Sequence, residues 1–514
     1  MNPHRARAWA ALDARPAVDV AIVGGGATGV ATALAAARAG YRVALFEARD
    51  FASGTSSRST KLLHGGVRYL AQGRLGLVRE ALSERTALLR LAPHLAQPLA
   101  FVVPAYARWD RLFYGAGLTA YDVLAGGAGL GRTAWLGPAE TRAALPGVRT
   151  QGLRGGVRYW DAQFDDARLT IAFARSAEAA GAHVFNHAEV TAVQPAPGRG
   201  RLRVRDRWTG DEREVAARVI LNATGVWVDA LRSGHPDKPL VRVSQGVHLV
   251  VDRDRLGGEQ ALLRPRTADG RVLFAVPWLG KLLIGTTDTP RPVAAHEPSP
   301  TAAEMEFLLR EASRALEQPL TLADVCSHWA GLRPLVHASG ATAALSREHH
   351  VLAEAGLITV TGGKWTTCRV MAADVLRSAR HAGWLADPGP PPCPPNAPLI
   401  GAPAPGAPPV PLHRPPGLHL LGAEAAAVAR LPGSERDLGA GLSEAMVRWA
   451  VRHEHAATVE DVLARRWRTL FLDAAVAAAL APAVAAIVAE ETGGAAGADT
   501  EAFLALCRRY RGPA

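Results

Sequence analysis

The feature that most constrains this chain is a strand, a glycine loop, a helix and a second strand, which follow one another at its start. The two apolar runs have the length of buried parallel strands, and the segment between them is rich in the helix formers Ala, Leu and Arg. The predicted elements are the strands 18–23 and 41–46 and the helix 27–39. This order predicts a βαβ unit and therefore a parallel sheet covered by helices.

Three glycines separate the first strand from the helix. Gly24, Gly26 and Gly29 form the pattern G-x-G-x-x-G, in which the missing side chains let the backbone approach a pyrophosphate at the helix N-terminus. Glu47 ends the second strand, where a carboxylate can accept hydrogen bonds from ribose hydroxyls. A bare glycine-rich turn is the simpler interpretation, but the full series predicts a dinucleotide site, with FAD and NAD both open at this step.

Two later segments favour FAD over NAD. Each is a predicted strand that runs into small residues, and the two segments are 222–225 and 361–364. An Ala-Thr-Gly turn can pass close to the adenosine end of a dinucleotide, and a glycine pair that opens a helix can direct N–H groups at a flavin ring. For either segment taken alone, a plain turn is the simpler interpretation. Together with the βαβ unit they predict one FAD held from three places in the sequence.

The composition is that of a folded protein with more than one domain. The chain is 48% hydrophobic and 20% charged, as is usual for globular proteins. Its 514 residues exceed the length that a single hydrophobic core accommodates. The net charge of +11 suits anionic small molecules, an anionic membrane surface or nucleic acid, but no basic run singles out nucleic acid and no such partner is expected. Of the 58 cationic residues only four are lysines, so each lysine raises a functional question.

The cysteine pattern and the apolar runs indicate a cytoplasmic location. Four dispersed cysteines without a C-x-x-C pair are typical of a reducing compartment, so we expect neither a disulfide framework nor a metal site. The N-terminus lacks an apolar core of signal-peptide length. The most apolar run, residues 474–489, is interrupted by Pro482 and predicts a buried helix pair, so no membrane span is expected.

The domain organisation follows from strand signals and proline content. Further strands are predicted at 217–221, 241–251, 272–276, 281–285 and 357–360. Residues 388–416 contain 14 prolines, which predicts an extended linker between a body, 18–385, and a helical tail, 418–514. The predicted fold class is α/β, with a Rossmann-like FAD-binding domain, an antiparallel-sheet substrate domain interleaved with it in sequence, and a C-terminal all-α domain.

A long motif follows the glycine loop and has the sequence RSTKLLHGGVRYL at residues 58–70. It resembles the signature of the FAD-dependent glycerol-3-phosphate dehydrogenases, members of the D-amino-acid-oxidase-like flavoprotein superfamily. Further similar segments are 159–161, 165–169, 222–225, 245–251, 284–288, 331–335, 346–348 and 362–367. In the tail, TVEDVL and the arginine pair at 458–466 resemble the family's C-terminal helical domain.

The resemblance implies oxidation of sn-glycerol 3-phosphate to dihydroxyacetone phosphate, with a hydride passing from C2 to FAD and electrons continuing to membrane quinone. It also implies a protein held peripherally on the inner face of the cell membrane. A glycerol-3-phosphate oxidase, which reduces oxygen to hydrogen peroxide from the same kind of site, stays open as the alternative. The oligomeric state, including a homodimer, stays open as well.

The reaction requires cations for a phosphate, a proton acceptor and a positive field for the developing alkoxide. The candidate catalytic residues are Arg333, Lys364, Arg347, His248, His64, Arg68 and Tyr69. The family pattern implies phosphate binding for Arg333 and Lys364, with Arg347 as a further candidate, and makes His248 the first choice of proton acceptor. A surface ion pair for each arginine and a packed strand histidine are the simpler alternatives.

The candidate FAD-binding residues come from five segments. They are Gly24, Gly26, Gly29 and Glu47; Thr55, Ser56 and Ser57; His64, Gly65 and Gly66; Ala223, Thr224 and Gly225; and Gly362, Gly363, Lys364, Trp365 and Thr366.

One segment combines cations, interfacial aromatics and apolar residues as a membrane-surface helix would. Its members are Arg108, Trp109, Arg111, Leu112, Phe113, Tyr114, Leu118, Tyr121 and Val123. An ordinary packing helix explains the segment equally well at this stage.

Overall fold

The computed structural model describes residues 3–66, 74–107, 109–232, 239–336, 349–494 and 500–512. The strands are β1 Ala17–Val23, β2 Val43–Phe46, β3 Leu62–Leu63, β4 Ala96–Ala105, β5 Ala134–Leu136, β6 Gly155–Phe164, β7 His183–Phe185, β8 Ala188–Gln194, β9 Gly200–Asp206, β10 Glu212–Asn222, β11 Val241–Asp252, β12 Ala261–Arg264, β13 Leu273–Trp278, β14 Lys281–Gly285, β15 Thr289–Arg291, β16 Val325–Val336, β17 His349–Glu354, β18 Leu357–Gly362, β19 Asp437–Gly439 and β20 Leu442–Ser443. The helices are α1 Pro3–Ala14, α2 Ala27–Ala39, α3 Leu75–Leu91, α4 Asp110–Ala125, α5 Pro138–Ala144, α6 Asp166–Ala179, α7 Ala302–Ser313, α8 Cys368–His381, α9 Ala425–Val428, α10 Glu444–His453, α11 Thr469–Leu472, α12 Ala474–Thr492 and α13 Thr500–Arg511.

The predicted βαβ unit forms the centre of the first sheet. Its strand order is β17-β18-β10-β1-β2-β7, in which β18, β10, β1, β2 and β7 run parallel, and the β8-β9 hairpin extends the sheet from β10. Helix α2 begins at residue 27 and ends at residue 39, as predicted, because Gly40 adopts a left-handed conformation and donates its N–H back into the last turn. Helices α6 and α8 pack beside α2, so the parallel strands are buried.

The second sheet is mostly antiparallel and confirms the substrate-domain expectation. Its order is β15-β11-β14-β13-β12-β4-β6-β3, with β16 paired to β11 and β5 to β6. Strand β11 is twelve residues long and pairs along nearly its whole length with β16. The register places His248 opposite Trp329 and Ser244 opposite Arg333. Two of the candidate catalytic residues therefore lie on neighbouring strands of one sheet.

The proline-rich linker, residues 388–416, packs against the body. Leu399 and Leu412 are buried, and the side chain of Gln97 on β4 donates to the carbonyl of Val410 and accepts from the amide of Leu412. Proline removes amide donors but leaves every carbonyl as an acceptor, so a segment without ladders can still bind to a neighbouring surface. The linker is thus a packed strap across the body.

The C-terminal domain is helical, as predicted, apart from the short β19-β20 hairpin. The expected break at Pro482 is wrong, because α12 runs without interruption from Ala474 to Thr492. An interior proline costs about 3 kcal/mol, and burial of one helix face in the C-terminal core offsets that cost. By length and composition alone α12 could also cross a membrane; in this fold 39% of its most apolar window is buried against neighbouring elements.

Candidate active site

A cleft of about 420 Å³ opens where the carboxyl ends of β1, β10 and β18 meet. Parallel strands place their carboxyl ends at the same sheet edge, which brings three distant sequence segments together. The predicted FAD-binding residues that line the cleft are Gly24, Gly26, Glu47, Thr55, Ser56, Ala223, Thr224, Gly225, Gly362, Gly363, Lys364 and Trp365. The three-segment arrangement inferred from the sequence is therefore present in the fold.

Each glycine of the first loop is required for a different structural reason. Gly24 has φ +112°, and a Cβ there would lie 2.6 Å from the carbonyl oxygen of Ala223 on the neighbouring strand. A Cβ on Gly29 would collide with the Gly24 carbonyl, so this glycine lets α2 approach the loop and does not itself line the cleft. Gly26 has only the Ser56 side chain near its Cβ position, at 3.0 Å, and faces the cleft.

Glu47 holds the glycine loop from the end of β2. Its Oε2 accepts from the amide of Gly25 at 2.7 Å, and its Oε1 accepts from the amide of Arg49 at 2.8 Å. Burial raises the pKa of this carboxyl group, and the two amide hydrogen bonds oppose that effect. Carboxylate oxygens accept more than one hydrogen bond, so Glu47 can receive ribose hydroxyls while it orders the loop.

The turn Thr55–Ser57 lies beside the glycine loop, and Thr55 and Ser56 line the cleft. The hydroxyl of Ser56 accepts from the amide of Ala27 at 2.9 Å, and the hydroxyl of Thr55 donates to the carbonyl of Leu332 at 2.6 Å. The turn thus connects the N-terminus of α2 to β16. Ser57 is buried behind the cleft and contributes its carbonyl to Lys61, at 2.6 Å, rather than to the cleft.

The third wall follows β18. Gly362 and Gly363 both have positive φ, and Lys364 precedes the 3-10 turn Trp365–Thr367 that leads into α8. The indole of Trp365 donates to the Ser56 carbonyl at 3.2 Å and so joins this wall to the previous one. Thr366 is buried and does not line the cleft.

The loop at 64–66 packs against β6 and α4. Gly65 donates to the carboxylate of Asp161 at 3.3 Å, and a Cβ on it would collide with the Tyr121 hydroxyl. His64 is half-buried and Gly66 is buried with φ +84°. None of the three lines this cleft, and their contact with FAD stays a prediction. Arg68, Tyr69 and Arg347 lie outside the described residues, as does Arg108.

His248 lies at the centre of β11 and is 2% exposed. Its Nε2 is 2.9 Å from the Thr60 hydroxyl, and its ring stacks on Trp329 with centroids 5.3 Å apart. Burial, followed by the positive charges of Lys61 and Arg333, holds the pKa of His248 well below 6.5. The imidazole is consequently neutral near pH 7, the protonation state that a proton acceptor needs.

Arg333 extends from β16 toward the same face of β11. Its guanidinium donates to the Thr286 hydroxyl at 3.2 Å, to the Thr287 carbonyl at 3.1 Å and to Asp288 at 3.4 Å. A Cβ on Gly246 would collide with this guanidinium, so the glycine provides the space that Arg333 occupies. The side chain is half-buried, which leaves part of the guanidinium accessible to an anion.

Sequence reasoning missed several residues of the cleft. Trp227 stacks on His296 with centroids 4.6 Å apart, and both line the cleft although they are distant in sequence. Thr361 also lines it, and its buried hydroxyl has no hydrogen-bond partner within the described chain. The tryptophan that follows the Ala-Thr-Gly turn was the available signal for Trp227; nothing local marks His296, because its position depends on the loop after β15.

The cleft fits a flavin dinucleotide by its own chemistry. It combines a helix N-terminus approached by Gly26, a buried carboxylate at Glu47, an unpaired threonine hydroxyl and the ammonium of Lys364. These groups supply amide donors and a cation for phosphates, an acceptor for ribose and polar contacts for a ring.

Comparisons with known proteins agree with FAD as the cofactor. Residues 19–375 match the family described as FAD dependent oxidoreductase, and residues 419–496 match the C-terminal domain of alpha-glycerophosphate oxidase. A glycerol-3-phosphate dehydrogenase of Mycobacterium leprae is 44% identical over 382 residues, covering 73% of this chain and 65% of that protein. A mitochondrial glycerol-3-phosphate dehydrogenase of Arabidopsis thaliana is 36% identical over 551 residues, covering 95% and 86%.

A solved structure covers nearly the whole chain. The glycerol-3-phosphate dehydrogenase from Bacillus halodurans, complexed with FAD, is 29% identical and superposes with a TM-score of 0.79 over 99% of this chain and 98% of that chain. The α-glycerophosphate oxidase of Mycoplasma pneumoniae, at 20% identity and a TM-score of 0.57, shares the fold. With its cleft, its two domains and relatives of this similarity, the chain belongs to the family of FAD-dependent glycerol-3-phosphate dehydrogenases.

Proposed function

We propose that this protein oxidises sn-glycerol 3-phosphate to dihydroxyacetone phosphate and passes the electrons to membrane quinone. The observation that carries the proposal is that His248 and Arg333 lie on paired strands next to residues of the FAD cleft. Pro334, which follows Arg333, lines the cleft, and so does Ser59, whose neighbour Thr60 contacts His248. When bound, FAD supplies the acceptor for the hydride from C2. The protein's own residues must then bind the phosphate, hold C2 in place and take the hydroxyl proton.

Arg333 and Lys364 bind the phosphate in this proposal. Arg333 is held by two threonines and Asp288, and a phosphate dianion would displace the weaker of these contacts, the ion pair with Asp288 at 3.4 Å. Lys364 lines the cleft just after the glycine pair and offers a compact ammonium. The two cations come from different sheets, so together they fix the orientation of the substrate.

His248 accepts the hydroxyl proton. Its ring is neutral at pH 7, and in the tautomer whose Nε2 donates to the Thr60 hydroxyl, Nδ1 is the atom that takes the proton. Nδ1 has no hydrogen-bond partner within the described chain. The phosphate dianion near Arg333 would favour the imidazolium that forms, since it offsets the positive charges of Lys61 and Arg333, which add to the effect of burial on the pKa of His248.

Membrane docking is part of the same proposal. On α4 and the residue before it, Trp109 and Phe113 are each 76% exposed and Leu112 is 53% exposed. Exposed large aromatics on one helix favour an interfacial contact over the packing alternative. Leu118 and Tyr121, on the opposite face, are buried and anchor the helix to the body. We place the protein in the cytoplasm, attached to the inner face of the cell membrane.

Oxygen is the alternative electron acceptor. The match of the C-terminal domain to that of an alpha-glycerophosphate oxidase favours keeping it as a second candidate. Purified protein assayed with glycerol 3-phosphate should reduce a soluble quinone analogue much faster than oxygen. Stoichiometric hydrogen peroxide at a comparable rate would establish the oxidase instead. Absence of flavin reduction by glycerol 3-phosphate under nitrogen would reject both activities.

A further inference from the structure

The C-terminal domain contacts the rear of the segment that lines the FAD cleft. We define the cofactor segment as residues 50–57, of which residues 53–56 line the cleft. The opposite side of this segment receives three arginines from the C-terminal domain, Arg465, Arg466 and Arg468, which are all buried. The FAD site is thus built on one side by the body and supported on the other by a different domain.

The first support is at Asp50. Arg466 donates to both carboxylate oxygens of Asp50, and Arg465 donates to one of them. Asn186 donates to the same carboxylate at 2.9 Å, and the carboxylate is fully buried. A buried carboxylate that loses its guanidinium partners is strongly destabilised, so the position of Asp50 depends on the C-terminal domain.

The support at Asp50 extends to the glycine loop through the next residue. The ring of Phe51 lies 2.7 Å from the position that a Cβ on Gly25 would take, so the loop rests directly on this ring. The Phe51 ring also packs against His455 of the C-terminal domain, with centroids 5.6 Å apart and the two rings nearly perpendicular. A shift of Asp50 would therefore move the backbone that approaches the pyrophosphate.

The second support is at Ser57. Its carbonyl accepts from Arg468 at 2.8 Å and from Lys61 at 2.6 Å, and both cations also bind Asp166. The neighbouring Ser56 binds the N-terminus of α2. The two ends of the cofactor segment are therefore each fixed by a buried arginine of the C-terminal domain.

The same cluster could suggest a cation site, because ligand atoms of Asp50, His187 and Asp461 lie within 4.8 Å of one another. Arg465 already donates to both carboxylates, however, and Arg466 adds a second guanidinium at Asp50. The negative charge is neutralised by these side chains, so the cluster is a structural connection between domains.

We propose that Arg466 and Arg468 are positioning residues for FAD, and that the C-terminal domain maintains the FAD-binding conformation of the cofactor segment. Apparent affinity falls in proportion to the fraction of molecules that hold the competent conformation. If a variant keeps the segment in place in one molecule of ten, the FAD dissociation constant rises about tenfold.

The test compares Arg466→Lys with Arg448→Lys. Arg466→Lys keeps the positive charge but loses the bidentate contact with Asp50. Arg448→Lys is the control, because Arg448 lies in the same domain and pairs with Glu444, Glu490 and Glu491 away from the cleft. FAD is removed, and its dissociation constant is measured by the fluorescence of unbound flavin. We expect an increase of at least about tenfold for Arg466→Lys and less than about twofold for Arg448→Lys. Lower thermal stability with an unchanged dissociation constant would overturn the proposal.

Arg468→Lys tests the support at Ser57 by the same measurement of the FAD dissociation constant. Amide hydrogen exchange of the wild-type protein is a further test that needs no variant. Addition of FAD to the apoprotein should slow amide exchange in residues 461–468 together with residues 50–57. Protection confined to residues 50–57 would mean that the C-terminal domain does not respond to FAD, and the proposal would be rejected. These measurements contain no substrate, so they are independent of the proposed reaction.

Discussion

Replacement of two glycines of the same loop should have different effects: one should lower the stability of the protein and the other its affinity for FAD. Gly24 has φ +112°, and a Cβ would lie 2.6 Å from the Ala223 oxygen and 2.9 Å from the Ala223 carbon. Both neighbours are backbone atoms of an adjacent strand, so they cannot rotate aside. Gly26 has an ordinary φ of −79°, and its Cβ position meets only the rotatable hydroxyl of Ser56 at 3.0 Å.

The expected magnitudes follow from these contacts. For Gly24→Ala, an unfavourable φ costs about 1–2 kcal/mol and the forced shift of neighbouring backbone about 1–3 kcal/mol, so unfolding free energy should fall by roughly 2–5 kcal/mol. For Gly26→Val, a poorer N-cap residue costs about 1 kcal/mol. Its side chain occupies the cleft, and the FAD dissociation constant should rise by at least about 100-fold, or about 2.7 kcal/mol.

Urea unfolding of the apoproteins, followed by tryptophan fluorescence, measures the first effect, and flavin absorbance of the purified proteins measures the second. Gly26→Val should fold and elute nearly colourless, because we expect FAD to be bound noncovalently. Gly24→Ala should bind some FAD at reduced stability. A Gly26→Val protein with stoichiometric flavin, or a Gly24→Ala apoprotein as stable as wild type, would refute the reasoning.

Four further predictions concern charge and exposure. Arg333→Met should lower kcat/KM for glycerol 3-phosphate by about 30- to 1000-fold, corresponding to about 2–4 kcal/mol, with normal flavin content; an equal loss toward glycerol would contradict phosphate binding. His248→Gln should slow flavin reduction at saturating substrate in stopped-flow measurements, and wild-type kcat/KM should fall only below pH 6.5, since the pKa of His248 is lowered. Burial lowers the pKa of Lys61 from 10.5 to about 7, so between these two pH values only the unfolded state holds the proton. The free energy of unfolding of the wild type should therefore rise with pH by up to about 1.4 kcal/mol per pH unit. Urea titrations at several pH values should show this slope in the wild type and not in Lys61→Met. Trp109→Ser should weaken cosedimentation with anionic liposomes and leave activity with a soluble dye unchanged; unaltered cosedimentation would assign the helix to packing.

The nucleotide half of the site was predictable because its signals are local. Residues 27–39 form the predicted helix, and β1, β10 and β18 end at the residues where small side chains begin. Parallel pairing alone then brings the three segments to one edge. The glycine pattern reports backbone approach directly, because a Cβ at Gly24 or Gly29 would meet backbone atoms.

The support of the site from behind was not predictable, because its contacts join distant positions. Asp50 and Arg466 are 416 residues apart, and neither lies in a segment whose hydrophobic pattern indicates a partner. The proline-rich strap is a second example of contacts that the sequence does not reveal. Its composition excludes the hydrogen-bond ladders of a sheet but does not indicate which groups its carbonyls bind. Arg38 on α2 donates to the carbonyls of Pro395 and Pro398, a contact that only the folded chain reveals.

At position 61 a lysine and an arginine would behave differently, because the position is buried. Lys61 is fully buried against Arg468, Asp166 and the rings of Trp278 and Phe471. An arginine there would be a second permanent cation beside Arg468, because a guanidinium does not release its proton in proteins. A lysine can release its proton, and burial together with Arg468 lowers its pKa to about 7. The cluster can therefore relieve the cost of its own burial, which an arginine at position 61 could not do.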